Sequence, residues 1–287
     1  MADCFIASHH DTPRRLDRAL RERYPDASRQ SIQRLIADKQ VQVNGRTVWL
    51  ASWEVVAGDE IAVAQPPARL PDQPKSFDPA WLIADEKDII AINKPTGLLS
   101  EPANRTDRAS LLQLASLVFG TVTLFHRLDR DTSGVLLMTR GGAVNQRLAS
   151  AFKTRSVVKE YIAEVSVPNR LETAGTIITR MDTDPNRRDR SVVVERGGVL
   201  AVTHYAVVTD ASGRQWVRLH PESGRMHQLR VHMAALDAPI LGDRLYGDIT
   251  SAPRLMLHAY RITLPADLFG ADTTFTAPRP PEFTAMP

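Results

Sequence analysis

The sequence predicts an α+β fold: a mixed, mostly antiparallel central sheet flanked by helices, preceded by a small αβ module. Three observations carry this. Strand and helix patterns mix along the chain without the steady strand–helix–strand rhythm of a parallel sheet. Composition breaks at Gln65-Pro66-Pro67-Ala68-Arg69-Leu70-Pro71-Asp72-Gln73-Pro74, where four prolines in ten residues exclude a helix or an interior strand. At 287 residues, 43% hydrophobic and 24% charged, the chain can bury one large core or two unequal ones. The expected division is a small module at 12–64, a linker at 65–76, a large module at 77–278 and a loose tail at 279–287.

In the small module, RRLDRALRERYP reads as a helix with Leu16 and Leu20 one turn apart, ended by Pro25. SRQSIQRLIADKQ reads as a second helix. Ser28 is its N-cap, Ile32, Leu35 and Ile36 form an apolar stripe, and Arg29, Gln33 and Arg34 lie elsewhere on its surface. VQVNGRTV is a hairpin turning at Asn44-Gly45, and GDEIAV adds a last strand. The basic residues form either a solvated face or a nucleic-acid contact, and charge alone leaves both open.

In the large module, IIAI is a strand running into the turn Asn93-Lys94-Pro95-Thr96-Gly97. SLLQLASLVFG is a helix with Leu111, Leu112 and Leu114 apolar. Val135-Leu136-Leu137-Met138 reads as a buried strand. GGAVNQRLASAFKTR is an amphipathic helix with Val144, Leu148 and Phe152 spaced four apart. VVKEYIAEVSV, HYAVVTD and WVRLH are strands, and HQLRVHMAAL is a helix. The sequence has no internal repeat.

Bulk properties exclude several classes. The single cysteine, Cys4, forms no internal disulfide and no zinc finger. No apolar run approaches the ~18 residues of a membrane span, and no signal peptide is evident. A cytoplasmic protein is expected. Net charge is only +3, but thirty arginines stand against six lysines. Arginine suits phosphate and base edges, and a GC-rich coding bias gives the same count.

The stretch HRLDRDTSGVLLMTR (126–140) crowds charge against a core strand. A carboxylate beside a core has its pKa raised by desolvation, and a nearby guanidinium lowers it again. Asp129 is therefore either an oriented, ionised nucleophile or base, or a loop aspartate paired with Arg127 or Arg130 at a strand end. Asp131 offers a second carboxylate, as in glycoside hydrolysis. In SGRMHQLRVHMAALDAP, Leu229, Met233 and Leu236 form a core stripe, and Arg230 shares a neighbouring face with His227. His227 and His232 are five apart, a poor spacing for one metal on a helix, so no metal is expected. In VVKEYIAEV, Tyr161 shares a face with Val157, Ala163 and Val165, with Glu160 and Glu164 opposite. Tyr161 is a core residue or a ring stacked on a nucleobase. No phosphate-binding glycine loop or dinucleotide fingerprint occurs, so no cofactor is expected.

RLDRAL, SRQSIQRLIADKQVQVNG and AGDEIAV together resemble the small RNA-binding domain named after ribosomal protein S4. That resemblance implies that Arg29, Gln30, Gln33, Arg34 and Lys39 lie near RNA phosphates. HRLDRDTSG, KEYIA, SGRMHQLRVHMA and GDRLYGD, in that order, together with NKPTG and LMLHAY, resemble the RluA-type pseudouridine synthases over nearly all of residues 80–265. The HRLD start differs from the GRLD of the sister RsuA-type group.

The resemblance implies the pseudouridine synthase fold and isomerisation of uridine within RNA, without cofactor or energy input. Asp129 matches the family's essential aspartate, Arg230 the arginine that pairs with it, and Tyr161 the tyrosine that stacks on the target base. Arg127 matches the arginine that enters the RNA stack as the uridine flips out. His126, Arg225 and His227 complete the expected RNA-binding set. Two positions depart from the pattern: Met226 stands where the family has Thr, and the Gly197–Ala201 stretch lacks the usual lysine. The domain pairing implies ribosomal RNA of the large subunit as partner, with tRNA as the alternative substrate. A monomer is expected. The competing functions are a glycosidase using Asp129 and Asp131, and a non-catalytic RNA-binding or assembly protein.

Overall fold

The computed structural model describes every residue except 1, 9–12, 25–26, 28, 67–73, 87, 103–108, 167–170, 210–212, 267–269, 284–285 and 287, and except the side chains of 29–31 and 188. The expected helix stop at Pro25, the N-cap Ser28, the side chains of Arg29 and Gln30 and most of the proline-rich stretch lie outside the described residues. The chain divides into two compact units, Met1–Asp72 and Gln73–Pro287.

The first unit contains β1 (Asp3–Ile6), β2 (Arg14–Arg15), α1 (Leu16–Arg23), α2 (Arg29–Ala37), β3 (Val41–Val43), β4 (Arg46–Val48), β5 (Glu54–Val55) and β6 (Glu60–Val63). Its main sheet has the order β1-β6-β3-β4. The β3–β4 turn is left-handed at both central residues, with Asn44 at φ 49° and Gly45 at φ 76°, as the two-residue hairpin demands. Leu16 and Leu20 of α1 and Ile32 and Ile36 of α2 are fully buried against Val41, Ile61 and Val63. The unit reaches beyond the expected start at residue 12. Strand β1 pairs with β6, and Asp3 accepts bonds from Arg23 and Tyr24 that tie it to α1.

The second unit contains β7 (Leu82–Glu86), β8 (Ile89–Lys94), α3 (Leu111–Phe119), β9 (Thr123–Leu124), β10 (Ser133–Thr139), α4 (Ala143–Thr154), β11 (Val158–Val165), β12 (Ala174–Asp184) and β13 (Arg187–Val194). There follow β14 (Val199–Thr209), β15 (Gln215–Pro221), α5 (Gln228–Ala235), β16 (Leu257–Leu264) and β17 (Thr273–Thr276). They form one sheet ordered β13-β12-β14-β15-β11-β16-β10-β8-β7, with β9 on β10 and β17 on β16. Strands β10 and β16 run parallel, and the other pairings between its strands are antiparallel. This is the mixed, mostly antiparallel sheet that the sequence predicts.

Strand β10 is buried along its whole length. Helices α3 and α4 pack Leu111, Leu114, Leu148 and Ala151 against it and β8. Helix α3 opens with a capping box: Ser110 Oγ accepts from the Gln113 N–H, and the Gln113 side chain accepts from the Ser110 N–H. On the other half of the sheet, α5 packs against β12, β13 and β14. The terminal segment differs from the expected loose tail. Phe283 and Met286 are buried, Phe283 against Trp216 at 5.6 Å between ring centroids, and Arg279 donates to the Met286 carbonyl. Burial of these two side chains in the apolar cluster around Trp216 holds the segment down. Among the described residues, no helix is long and apolar enough to cross a membrane.

Candidate active site

Asp129 lies in the loop that leads into β10, and that loop is clamped onto the turn after β8. Leu128 is buried and exchanges two hydrogen bonds with Ser100: its N–H donates to Oγ at 3.0 Å, and the hydroxyl donates back to its carbonyl at 2.7 Å. Thr96 donates to the Asp131 carbonyl, and the Gly97 N–H to the Arg130 carbonyl, each at 2.8 Å. Fully buried Lys94 donates to the carbonyls of Pro95, Leu98 and Arg130 at 2.9, 2.7 and 3.0 Å. Burial pushes its pKa down to about 7, opposed by the charges of Asp131 and Asp129. The NKPTG turn is thus the platform under the aspartate loop.

Beyond the loop, Gly134 has φ +117°, and a Cβ there would stand 2.2 Å from the Ala259 carbonyl oxygen. Only glycine allows the close approach of the parallel β10 and β16 next to the site.

The partner of Asp129 comes from α5. Arg230 Nη1 donates to Asp129 Oδ2 at 3.3 Å, across 101 residues of sequence. The rest of the guanidinium is held by Asp243, which accepts from Nε at 2.8 Å and from Nη2 at 2.7 Å. Arg230 and Asp243 are both buried. Burial works against the arginine's charge, and the two carboxylates overcome it, so the pKa rises. Gln228 anchors the start of the helix. It accepts from Ser223 Oγ and the Arg225 N–H, and donates to the Val202 carbonyl and Thr203 Oγ1.

His227 precedes the helix at φ 57°, so the helix begins one residue later than the pattern suggests. Its Nε2 lies 3.8 Å from Asp129 Oδ2, and its Nδ1 lies 3.0 Å from the Tyr246 hydroxyl. Burial lowers its pKa, only partly offset by Asp129.

The two sequence neighbours do not pair with Asp129. Arg130 grips Asp131 through two bonds of 2.9 Å, and exposed Arg127 bonds Glu101 at 2.7 Å. The strand-ending ion pair expected from the stretch alone is therefore replaced by a long-range one. Burial works to raise the Asp131 pKa, and the bonds from Arg130 overcome it, leaving the carboxyl below its usual range. Both oxygens of Asp131 are bonded to Arg130.

Tyr161 stands on β11 at an open cleft of about 550 Å³ that is also lined by His126, Phe152, Arg155, Lys159 and Arg225. Burial and the charge of Asp129 raise the phenol pKa, so it stays protonated. Half-buried His126 stacks on Phe152 at 5.2 Å, and its Nε2 accepts from the Leu137 N–H at 3.0 Å. Burial, with Lys159 adding to it, lowers its pKa to about 3. Lys159 is lowered to about 8, by burial and by Arg155. Arg127, Arg155 and Arg225 add positive charge to the rim.

Glu160 and Glu164, on the face opposite Tyr161, are buried rather than solvated. Arg218 bonds Glu160 at 3.0 Å, and Arg214 grips Glu164 at 2.6 and 2.5 Å. Asp243, Lys94, Tyr246 and Lys159 are the residues that sequence reasoning missed. The motifs GDRLYGD, NKPTG and KEYIA contain all four, but their partners are remote in sequence. In the first unit, Arg34 and Lys39 are exposed and Gln33 is half-buried. His232 is buried between Thr203 and Thr179, each at 2.9 Å. No group of three His, Cys, Asp or Glu suited to a metal occurs among the described residues.

A family model described as RNA pseudouridylate synthase matches residues 88–235, and an S4 domain model matches residues 14–61. The chain is 30% identical over 266 residues to ribosomal large subunit pseudouridine synthase D of Escherichia coli (strain K12), spanning 90% of this chain and 80% of that protein. It is 32% identical over 292 residues to ribosomal large subunit pseudouridine synthase C of Rickettsia bellii, spanning 95% of this chain and 96% of that protein. The solved structure of human RNA pseudouridylate synthase domain containing 4 superposes with a TM-score of 0.56 at 28% identity, covering 72% of this chain and 91% of that one. The family match covers just over half of the chain and includes Asp129, Tyr161 and Arg230, so the chain belongs to the RNA pseudouridylate synthases, isomerases that act on RNA.

Proposed function

We propose that the chain converts specific uridines of large-subunit ribosomal RNA to pseudouridine, with Asp129 as the group that acts on the glycosidic bond. The contact between Arg230 and Asp129 carries this reading, because it holds one carboxylate in a fixed place where its charge acts on Tyr161, the tyrosine that lines the basic cleft. The relatives are named as pseudouridine synthases of the ribosomal large subunit. The matching S4 domain and the exposed Arg34 and Lys39 support RNA as the partner.

In the proposed reaction the bond between ribose carbon 1′ and uracil nitrogen 1 breaks. The uracil turns in the pocket and rejoins through carbon 5. The proton on carbon 5 leaves and nitrogen 1 gains one, so no atoms are gained or lost and no cofactor is called for. Tyr161 stacks on the flipped base, and Arg127 takes its place in the RNA stack. Unstacking costs a few kcal/mol, offset by phosphate contacts with the cations of the rim. Arg230 places Asp129 and supplies positive charge beside it, and because Arg230 is itself fixed by Asp243 it needs no reorganisation during the reaction.

Replacing Asp129 by Asn tests the reading. Pseudouridine formation is lost while RNA affinity stays within a few-fold of wild type; a variant that modifies RNA at the normal rate overturns it. Site-resolved pseudouridine mapping of RNA from cells with and without the protein names the uridine and separates ribosomal RNA from tRNA.

A further inference from the structure

We propose that His227 is the base that removes the carbon 5 proton of the rejoined uracil, an inference that rests on the isomerase reading above. Any route that joins ribose to carbon 5 produces an intermediate in which that carbon carries both the ribosyl group and its original hydrogen. The product forms only when this proton leaves. Its electron pair then restores the double bond between carbons 5 and 6, and nitrogen 1 takes up a proton. The step needs a neutral base beside Asp129 that can take one proton and give one back.

The hydrogen bonds around Tyr246 place such a base. The Tyr246 hydroxyl donates to the Ser191 carbonyl at 3.0 Å and accepts from the Ser191 N–H at 2.8 Å. A hydroxyl has one proton, and here the backbone of β13 uses it. The contact of 3.0 Å between the hydroxyl and His227 Nδ1 is then a bond in which the imidazole donates. Neutral His227 therefore carries its proton on Nδ1 and an open lone pair on Nε2.

That Nε2 lies 3.8 Å from Asp129 Oδ2, beyond hydrogen-bond reach, so its lone pair is not committed to the carboxylate and stands beside it. The ring is fixed edge-on to Tyr246 at 5.7 Å between centroids, and Arg230 stacks on the same tyrosine at 5.3 Å. The left-handed backbone at His227 turns the side chain away from the helix and toward the loop of Asp129. The charged groups facing the imidazole are Asp129 from its loop, Arg230 from its own helix, Asp243 from the following loop and Asp189 from β13. Burial outweighs the carboxylates among them and keeps the ring neutral near pH 7. After taking the carbon 5 proton, the ring is an imidazolium beside the Asp129 carboxylate. It returns to neutrality by giving a proton to nitrogen 1.

His227→Asn tests the assignment. Asn tolerates the left-handed backbone and keeps a donor near the Nδ1 position, but removes Nε2. Single-turnover rates are measured at saturating RNA, with target uridines carrying either hydrogen or deuterium at carbon 5. The variant is expected to react ~10²–10⁴-fold more slowly and to show a larger isotope effect than wild type, because loss of the proton has become the slow step. The wild-type rate should fall as pH drops below the ordinary histidine range and Nε2 is protonated, and the variant should lack that limb. A variant as fast as wild type overturns the proposal, as does a slow variant whose rate ignores the deuterium. Nitrogen-15 NMR of the wild-type imidazole gives a test independent of any substitution: a neutral ring protonated on Nε2 also overturns it. A wild-type protein that makes no pseudouridine in any RNA fails the functional reading itself, a result distinct from all of these.

Discussion

Asp243 grips Arg230 through two bonds of 2.7 and 2.8 Å, with both side chains buried. The pair fixes the guanidinium so that its remaining nitrogen meets Asp129. In the proposed reaction Asp243 acts through Arg230, as a positioning residue.

Asp243→Asn leaves the buried arginine with only the half-exposed Asp129 as a carboxylate partner. Breaking a buried pair from one side costs about 3–5 kcal/mol. The expected result is a drop in Tm of several degrees and a fall in kcat larger than any change in RNA affinity. Thermal unfolding and single-turnover kinetics check both. Normal kcat in a destabilised variant removes the positioning role.

Gly134→Ala drives a methyl group into the Ala259 backbone at a φ reserved for glycine. The parallel pairing of β10 with β16 has to open, and the loop of Asp129 moves with it. We expect a loss of several kcal/mol, seen as an insoluble or low-melting protein. A wild-type Tm shows that the two strands can part at little cost.

His232 and His258 are fully buried, and burial lowers their pKa values to about 4 and about 3. A histidine with a depressed folded pKa takes up its proton only on unfolding. Its contribution to stability is full above about pH 6.5 and is lost as pH falls toward the folded value. Each such histidine adds about 1.4 kcal/mol per pH unit to the slope in that window. Denaturant titrations from pH 7 to pH 4 measure it. His232→Gln should flatten the slope, and an unchanged slope shows that the imidazole already titrates in the folded state.

Arg34 and Lys39 are exposed in the unit that carries the S4 match. Changing both to Ala should weaken RNA binding and make it less salt-sensitive, by roughly 0.7–0.9 in the slope of log K against log salt for each phosphate that is no longer neutralised. The rate at saturating RNA should not change. Unaltered affinity and slope place the RNA-binding surface elsewhere.

Local pattern made much of the fold legible. Asn44-Gly45 specified its hairpin because few other pairs accept two left-handed residues in a row. Val135 to Met138 read as a buried strand because an apolar run of that length has no solvent face. The hairpin of β12 and β13 did not show, because few of its described side chains are buried and its pairing depends on β14. The burial of Glu160 and Glu164 did not show, because their arginine partners sit on β15, on β16 and just before β15. The tail looked loose because prolines hid the one phenylalanine that anchors it.

The sequence by itself determined the candidate residues Asp129, Tyr161 and Arg230, since they stand in motifs whose residue types and order suffice for a resemblance. It also held the two helices and the hairpin of the first unit, where turn chemistry and apolar spacing are local. Only the tertiary structure decided what those residues touch. It gave Asp129 an arginine 101 positions away rather than the two beside it, and gave that arginine a second, buried carboxylate at Asp243. Adjacent arginines fail to reach Asp129 because loop geometry points them at Glu101 and Asp131. A buried guanidinium is stable only where carboxylates converge on it, and that convergence depends on how α5 packs over the sheet.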